Sequence, residues 1–151
     1  SIEKKALADR KLYEEKTVSG MEFLERNSIL RAKQQVIEQA IDKARESIAG
    51  LNDEEYFNVL EKLLRKNVQQ GKGKICFSKK DLDRIPNGFE DRVKEIVAEN
   101  QGELVIDKEP ANIKDGFVLV YGEIEENCTL KALFDSNIDR IKDIANKQLF
   151  G

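Results

Sequence analysis

The chain has 151 residues, of which 36% are charged and 40% hydrophobic, and its formal net charge is −3 at pH 7. High charge with only two prolines is typical of a helix-rich protein rather than a disordered one. The negative charge disfavours a nucleic-acid partner, and since no run approaches the roughly 20 apolar residues that span a bilayer, we expect no direct membrane insertion.

Residues 1–50 predict one long helix, because they contain no proline and are rich in strong helix formers. Gly20 would permit a bend or break, since glycine costs about 1 kcal/mol relative to alanine in a helix interior. The apolar residues recur at intervals of eleven (Ile2, Tyr13 and Leu24; Leu7, Val18, Ile29, Ala40 and Leu51) and of seven (Phe23, Leu30, Ile37, Ala44 and Leu51). An eleven-residue period favours a straight or right-handed coil, and a seven-residue period favours a left-handed one.

Such a helix cannot bury its apolar stripe against itself and requires a partner helix. We therefore predict a partner-binding coiled-coil stripe formed by Leu7, Val18, Phe23, Ile29, Leu30, Ile37, Ala40, Ile41, Ala44 and Ile48. The alternative is that two shorter helices fold back onto the rest of the chain as ordinary core.

Residues 51–151 predict a separate C-terminal globular domain of the α/β (α+β) class. Its first half predicts, in order, a helix from Asn52 or Asp53 to about Gly71, a strand at 74–77, a helical turn from Ser78 to Pro86, and a helix from about Phe89 to Gly102. Gly and Pro at these boundaries separate the elements.

The second half predicts strands at 104–106, 116–122 and 123–125 and a single final helix from about Thr129 to Leu149. The run at 116–122 is continuously apolar, which indicates a central strand. The elements together predict a mixed or antiparallel sheet of about four strands, covered by helices on one side.

Residues that carry chemistry are scarce. The chain has no histidine, which removes the usual general base and the commonest metal ligand. Cys76 and Cys128 lack CxxC spacing and predict buried thiols in a reducing compartment. We expect no catalytic residue, no cofactor and no metal.

Two segments superficially resemble binding sites. Residues 70–74 read QGKGK but lack the GxxxxGKS/T spacing of a phosphate loop and lead into a strand, so they predict a solvated turn. Residues 101–127 contain seven acidic residues against two lysines without the DxDxDG spacing of a calcium loop. They predict a solvated acidic face, which would also suit docking of a basic partner.

The stretch from Gly116 to Leu130 reads GFVLVYGEIEENCTL. It resembles the signature of the E subunits of V/A-type ATPases, in which a glycine-led apolar strand is followed by a glycine, an isoleucine and an Asn-x-Thr/Ser start of the final helix. The matching residues are Gly116, Gly122, Ile124, Asn127, Thr129 and Leu130, together with the ending Leu149, Phe150 and Gly151.

The chain departs from this pattern in three places. Asp115 stands where the family often has the first glycine of a pair, and Lys131–Phe134 replaces an early Arg-Leu pair in the last helix. The N-terminal helix is shorter than in the family and begins at Ser1 without a Met, so we expect it to be truncated.

The resemblance implies a non-catalytic peripheral-stalk (stator) component. In that family the N-terminal helix forms a heterodimeric coiled coil with the G subunit, also called H, and the C-terminal domain binds the B and A subunits of the catalytic head. The far end of the stalk reaches the membrane-embedded ion-path subunit. The resemblance thus implies a cytoplasmic protein, peripheral to the cell membrane, that holds the head against rotation and couples ATP synthesis or hydrolysis to H⁺ or Na⁺ transport.

Three alternatives stay open at this point. The first is a stator-like regulator of a flagellar or type III secretion ATPase, which has the same layout of a helix and a domain. The second is a homodimeric coiled-coil adaptor. The third is a small enzyme that uses the acidic residues at 101–127, which the absence of histidine disfavours.

Overall fold

The computed structural model describes residues 2–151. The elements in chain order are α1 Ile2–Ala49, α2 Asp53–Asn67, β1 Gly71–Phe77, α3 Lys79–Leu82, α4 Phe89–Ala98, β2 Gly102–Ile106, β3 Phe117–Tyr121, β4 Ile124–Cys128, α5 Leu130–Ser136 and α6 Ile138–Phe150. A long N-terminal helix thus precedes a four-stranded mixed sheet with helices, which confirms the predicted fold class.

Helix α1 is continuous over 48 residues. At a rise of 1.5 Å per residue it is about 72 Å long. It passes through Gly20 without interruption, because the cost of one glycine, about 1 kcal/mol, is small in a long helix rich in strong helix formers. The alternative of two shorter helices is therefore wrong.

Helix α2 begins as the sequence predicts, because the Asn52 side chain accepts a hydrogen bond from the Glu55 N–H at 2.9 Å. The helix ends at Asn67, before Gly71, and Gly71 instead opens β1. The predicted solvated turn at 70–74 is therefore wrong. Residues 71–74 pair with β2, and three of them, Gly71, Lys72 and Lys74, are exposed. Gly102 likewise opens β2 rather than closing α4.

The strand order is β2-β1-β3-β4, with β1 parallel to β2 and the other pairs antiparallel. As predicted from its continuous apolar run, β3 is an internal strand. One face of the sheet is buried in a core whose strand residues include Ile75, Phe77, Phe117 and Leu119. The same core contains apolar residues of α2 and α4.

The prediction of one continuous final helix is wrong, because the structure has two helices, α5 and α6, in its place. Thr129 caps α5 by accepting a hydrogen bond from the Ala132 N–H at 3.1 Å, but the helix is interrupted at Asn137, which has φ −114° and ψ 16°. The Asn137 side chain donates to the Leu133 carbonyl at 2.9 Å and so competes with helical backbone bonding. The break lets α6 pack against α1.

Candidate functional site

The first two-thirds of α1 expose large apolar side chains. Their exposed fractions range from 43% at Val36 to 89% at Ile2. The exposed set is Ile2, Leu7, Leu12, Tyr13, Val18, Met21, Phe23, Leu24, Ile29, Leu30 and Val36. Large apolar side chains exposed in this number along one helix indicate an interaction site.

The residues of the predicted coiled-coil stripe have different surroundings in the structure. Leu7, Val18, Phe23, Ile29, Leu30 and Ala44 are exposed, and Ala40 is half-buried. Ile37 and Ile41 are buried in a cluster with Phe134 of α5, and the half-buried Ile48 packs against the same cluster. Ile37, Ile41 and Ile48, near the C-terminal end of the stripe, thus pack against the chain's own helices.

The exposed stripe residues lie on two sides of α1. An ideal α-helix turns about 100° per residue, which places Phe23 and Leu30 on the same side as Ile37. Leu7, Val18 and Ile29 lie about 120° away from that side. The seven-residue series therefore continues the line of contact with α6, and the eleven-residue series forms a second line.

Helix α6 extends the apolar surface beside α1. Ile138, Ile141 and Ala145 pack against the cluster around Ile37, and Lys33 Nζ lies 5.3 Å from the centre of the Phe150 ring. The signature residues Leu149 and Phe150 are 45% and 41% exposed at the end of this helix. Gly151 closes it with φ 79° and donates from its N–H to the Lys147 carbonyl at 3.1 Å.

The signature glycines shape the β3–β4 hairpin. Gly116 has φ 70°, and a Cβ at this position would lie 2.5 Å from the Cys128 carbonyl oxygen. Its N–H donates to the Tyr56 hydroxyl at 2.8 Å. Gly122 has φ 62° in the tight turn between the strands, where the left-handed conformation favours glycine.

The rest of the signature leads the chain into α5. Asn127 Oδ1 accepts from the Thr129 N–H at 3.0 Å, and Asp115 Oδ1 accepts from the Leu130 N–H at 3.1 Å. Leu130 is fully buried, whereas Ile124 is 62% exposed. Between Gly116 and Leu130, every signature residue except Ile124 thus has a structural explanation in turn geometry, helix capping or burial.

A buried polar network, which sequence reasoning missed, joins α2, α3 and the start of β3. The Tyr56 hydroxyl donates to Asp81 Oδ2 at 2.6 Å, and Arg84 Nε donates to Asp81 Oδ1 at 3.0 Å. Burial and the bond to Asp81 raise the pKa of Tyr56 above its ordinary value. Asp81 is only 1% exposed, which places its bond to Tyr56 inside the core. Asp81 and Arg84 are three residues apart, but no spacing in the sequence indicates that Tyr56 contacts Asp81, 25 residues away.

The two thiols are not activated. Burial raises the pKa of the Cys128 thiol to about 12. Burial, together with the neighbouring Asp107 carboxylate, also raises the pKa of Cys76. A nucleophilic cysteine requires a lowered pKa, so neither thiol has the environment of a catalytic one.

The acidic residues at 101–127 are dispersed. Glu103 pairs with Lys72 at 3.8 Å, Glu126 accepts from the Gln69 side chain at 3.1 Å, and Asp115 bonds to the α5 backbone. Across residues 2–151, no group of three or more His, Cys, Asp or Glu residues is arranged to hold a metal ion. In the same part of the chain, no helix is long and apolar enough to cross a membrane.

Comparison with known proteins identifies similar chains. The family model described as ATP synthase (E/31 kDa) subunit matches residues 1–150. The E subunit of a V-type ATP synthase from Clostridium botulinum (strain Langeland) is 30% identical over 138 residues, which cover 90% of this chain and 69% of the relative. The E subunit numbered 1 of a V-type ATP synthase from Clostridium tetani is 29% identical over 150 residues, which cover 99% of this chain and 76% of the relative.

Proposed function

This chain belongs to the ATP synthase (E/31 kDa) subunit family, and we propose that it is the peripheral-stalk component of a V-type rotary ATPase, without a catalytic site of its own. In this role α1 pairs with the G subunit (also called H), and the C-terminal domain binds the B and A subunits of the catalytic head. The far end of the stalk reaches the membrane-embedded ion-path subunit from the cytoplasmic side. The head is thereby held against rotation, which couples ATP synthesis or hydrolysis to H⁺ or Na⁺ transport.

The observation that carries this proposal is the exposed apolar surface of α1 between Ile2 and Val36. Most of the stability of a protein helix comes from packing of its apolar side rather than from intrinsic propensity. Within residues 2–151, burial of α1 side chains begins only at Ile37. A partner helix supplied by another chain is what this surface requires.

The chemistry of the chain also favours a mechanical role. A stator needs length, stiffness and two binding ends, and it needs no reactive group. The thiols of Cys76 and Cys128 have raised pKa values, and the Tyr56–Asp81 pair is enclosed in the core. These features support the proposal of a protein that binds rather than catalyses.

The direct test is to mix the purified chain with the G subunit and to record far-UV circular dichroism and sedimentation. We expect a one-to-one heterodimer with more helix than the sum of the separate proteins. Val18→Asp with Ile29→Asp should abolish the gain, whereas Val105→Asp, on the outer face of the sheet, should not. A stable homodimer that ignores the G subunit would favour the adaptor alternative.

A second test addresses the head. The tagged chain is used to isolate native complexes from its own cells, and the associated proteins are identified by mass spectrometry. We expect the A and B subunits of the ATPase among them. Recovery of the chain with neither of them would contradict the proposal.

A further inference from the structure

Helix α6 covers one part of the seven-residue apolar series of α1 and leaves another part exposed. On an ideal helix, Phe23, Leu30 and Ile37 lie within about 40° of one another. Ile37 and Ile41 are buried in a cluster with α5, and apolar residues of α6 pack against that cluster. Phe23 and Leu30, by contrast, are 61% and 54% exposed. The two parts of one side of α1 therefore have different surroundings.

The covered part is the segment of α1 with the spacing of a coiled coil. Its apolar residues are separated by intervals of four, three and four residues, which is the spacing of the a and d positions: Ile37, Ile41, Ala44 and Ile48. Phe23 and Leu30 are instead followed four residues later by an asparagine and a glutamine. We name residues 37–48 the pairing segment.

Without the pairing segment, the exposed part is too short to form a coiled coil. A stable heptad pattern generally extends over at least three to four heptads. The stretch from Phe23 to Ile48 exceeds three heptads, whereas Phe23 and Leu30 are only one heptad apart. Covering the pairing segment therefore removes the ability of this side of α1 to pair with a similar helix.

The contact of α6 with α1 depends on the short connection of α6 to the domain. Within the described range 138–150 no residue is fully buried, and none of them belongs to the core under the sheet. Only Asn137 separates α6 from α5. Such a connection gives α6 an effective concentration in the millimolar range, so for equal intrinsic affinity it outcompetes a second copy at micromolar concentration by about a thousandfold.

We propose that α6 is an autoinhibitory helix, which prevents two copies of this chain from pairing through their 37–48 segments. When α6 leaves α1, Ile37 and Ile41 become available to the same segment of a second copy, and Phe23 and Leu30 extend the contact. The eleven-residue series lies about 120° away on α1 and stays uncovered, so the block acts on one side only. The inference goes beyond the proposed function, since it concerns two copies of this chain and no other subunit.

The test measures self-association of the full chain by sedimentation equilibrium. Ile141→Asp with Ala145→Asp places two carboxylates in the contact with α1 and should release α6, which lowers the Kd of the homodimer at least tenfold. Ile144→Asp with Asn146→Asp makes the same charge change at exposed positions of α6 and should leave the Kd within about twofold of the wild type. Ile141→Ala, a milder change, should give an intermediate gain and keeps the test valid if the double variant folds poorly.

Release of α6 is verified by amide hydrogen exchange, which should accelerate at 138–150 and stay unchanged in β1 and β3. Protection of α6 in the double variant would contradict the proposed contact itself. A released α6 with a homodimer Kd no lower than that of the wild type would overturn the autoinhibitory role.

A third substitution identifies the surface through which the copies associate. Leu30→Asp, added to Ile141→Asp with Ala145→Asp, should abolish the gain in self-association, because it places a carboxylate among the apolar residues of the pairing side. Val18→Asp, added to the same pair, should retain the gain, because Val18 belongs to the eleven-residue series. A gain that persists with Leu30→Asp would mean that the copies associate through another surface, and this would overturn the proposal.

Discussion

Gly116 stands where β3 begins beside the backbone of Cys128 and Thr129. Both Gly116 and Gly122 have positive φ, but of these two only Gly116 has described backbone atoms in the way of a Cβ, at 2.5 Å and 2.6 Å. We expect Gly122→Ala to lower the free energy of unfolding by about 1 kcal/mol, the cost of the left-handed conformation. Gly116→Ala should cost at least about 2 kcal/mol more, comparable with other forced overpacking, as measured by urea denaturation.

The two alanine variants form a matched pair because the conformational cost is common to both. The difference between their losses of unfolding free energy therefore measures the steric contact at Gly116 alone. Equal losses of stability would show that the β3 junction relaxes around the added methyl group.

The hydroxyl of Tyr56 links two buried groups at once, since it donates to Asp81 and accepts from the Gly116 N–H. Removing it leaves both groups short of a partner in the core. We predict that Tyr56→Phe lowers the free energy of unfolding by about 1–3 kcal/mol in urea denaturation.

The control for this prediction is Tyr121→Phe. The Tyr121 hydroxyl accepts from the N–H of the exposed Gln69, at 3.1 Å, and water can replace it. The control should therefore lose less than about 0.5 kcal/mol. If Tyr121→Phe lowered the free energy of unfolding as much as Tyr56→Phe does, burial of the bonded groups would not account for the loss of stability.

The Cys128 thiol provides a pH prediction. Burial raises its pKa from 9.0 to about 12, so the folded chain holds the proton more tightly than the unfolded chain. The resulting stabilisation is complete below the unfolded pKa and is lost as pH rises toward the folded one. Between pH values of about 9 and 11 the free energy of unfolding should therefore fall more steeply for the wild type than for Cys128→Ala.

Cys76→Ala is the comparison for the thiol prediction. Burial raises the pKa of both thiols. Cys76 is only half-buried, however, whereas Cys128 is buried. Cys76→Ala should flatten the pH dependence less than Cys128→Ala does. Identical slopes for all three proteins would contradict a thiol contribution.

Among the elements, α6 is held by a narrow contact. Within the described range 138–150 no residue is fully buried, and the apolar side chains pack against a cluster of Ile37, Ile41 and Phe134. We predict that Ile41→Ala detaches α6, so that amide hydrogen exchange at 138–150 accelerates roughly tenfold or more while exchange in β1 and β3 is unchanged. The lost packing of a buried isoleucine, about 2 kcal/mol or more, accounts for this local effect.

Val36→Ala is the matched control on the same helix, since Val36 is 43% exposed. It should leave exchange in α6 unaffected. If Ile41→Ala also accelerated exchange in β1 and β3, α6 and the sheet would unfold together, which would contradict the prediction.

The elements also differ in how far the sequence predicts them. The internal position of β3 follows from its continuous apolar run, and the start of α5 follows from the Thr129 cap. The break at Asn137 could not be predicted, because the apolar spacing of α5 continues into α6 with no glycine or proline between them. The side-chain bond from Asn137 to Leu133 that accompanies the break becomes visible only in the structure.

For the whole molecule, the extended form of α1 leads to a prediction about proteolysis. The division into a stalk segment at 1–50 and a domain at 51–151 remains a prediction. We expect limited trypsin digestion of the isolated chain to cut first at lysines and arginines before Val36, where α1 side chains are not buried by any other element within residues 2–151. The G subunit should slow these cuts roughly tenfold or more by covering the helix.

The control for the digestion is an equal concentration of an unrelated coiled-coil protein, which should give no protection. First cleavage inside 71–128, in the sheet, would contradict an exposed stalk. Slowed cleavage by both added proteins would show that protection is not specific to the stalk partner.

The sequence by itself determined the long helix, the core face of α2, the internal β3 strand and the absence of histidine. These features depend on helix propensity, apolar period and residue type, which are local quantities. The sequence also carried the family signature from Gly116 to Leu130. Only the tertiary structure decided that Ile37 and Ile41 face the chain's own α5 and α6. The physical reason is that the period of the apolar residues shows which side of a helix must be covered by another element. It does not show which helix covers that side.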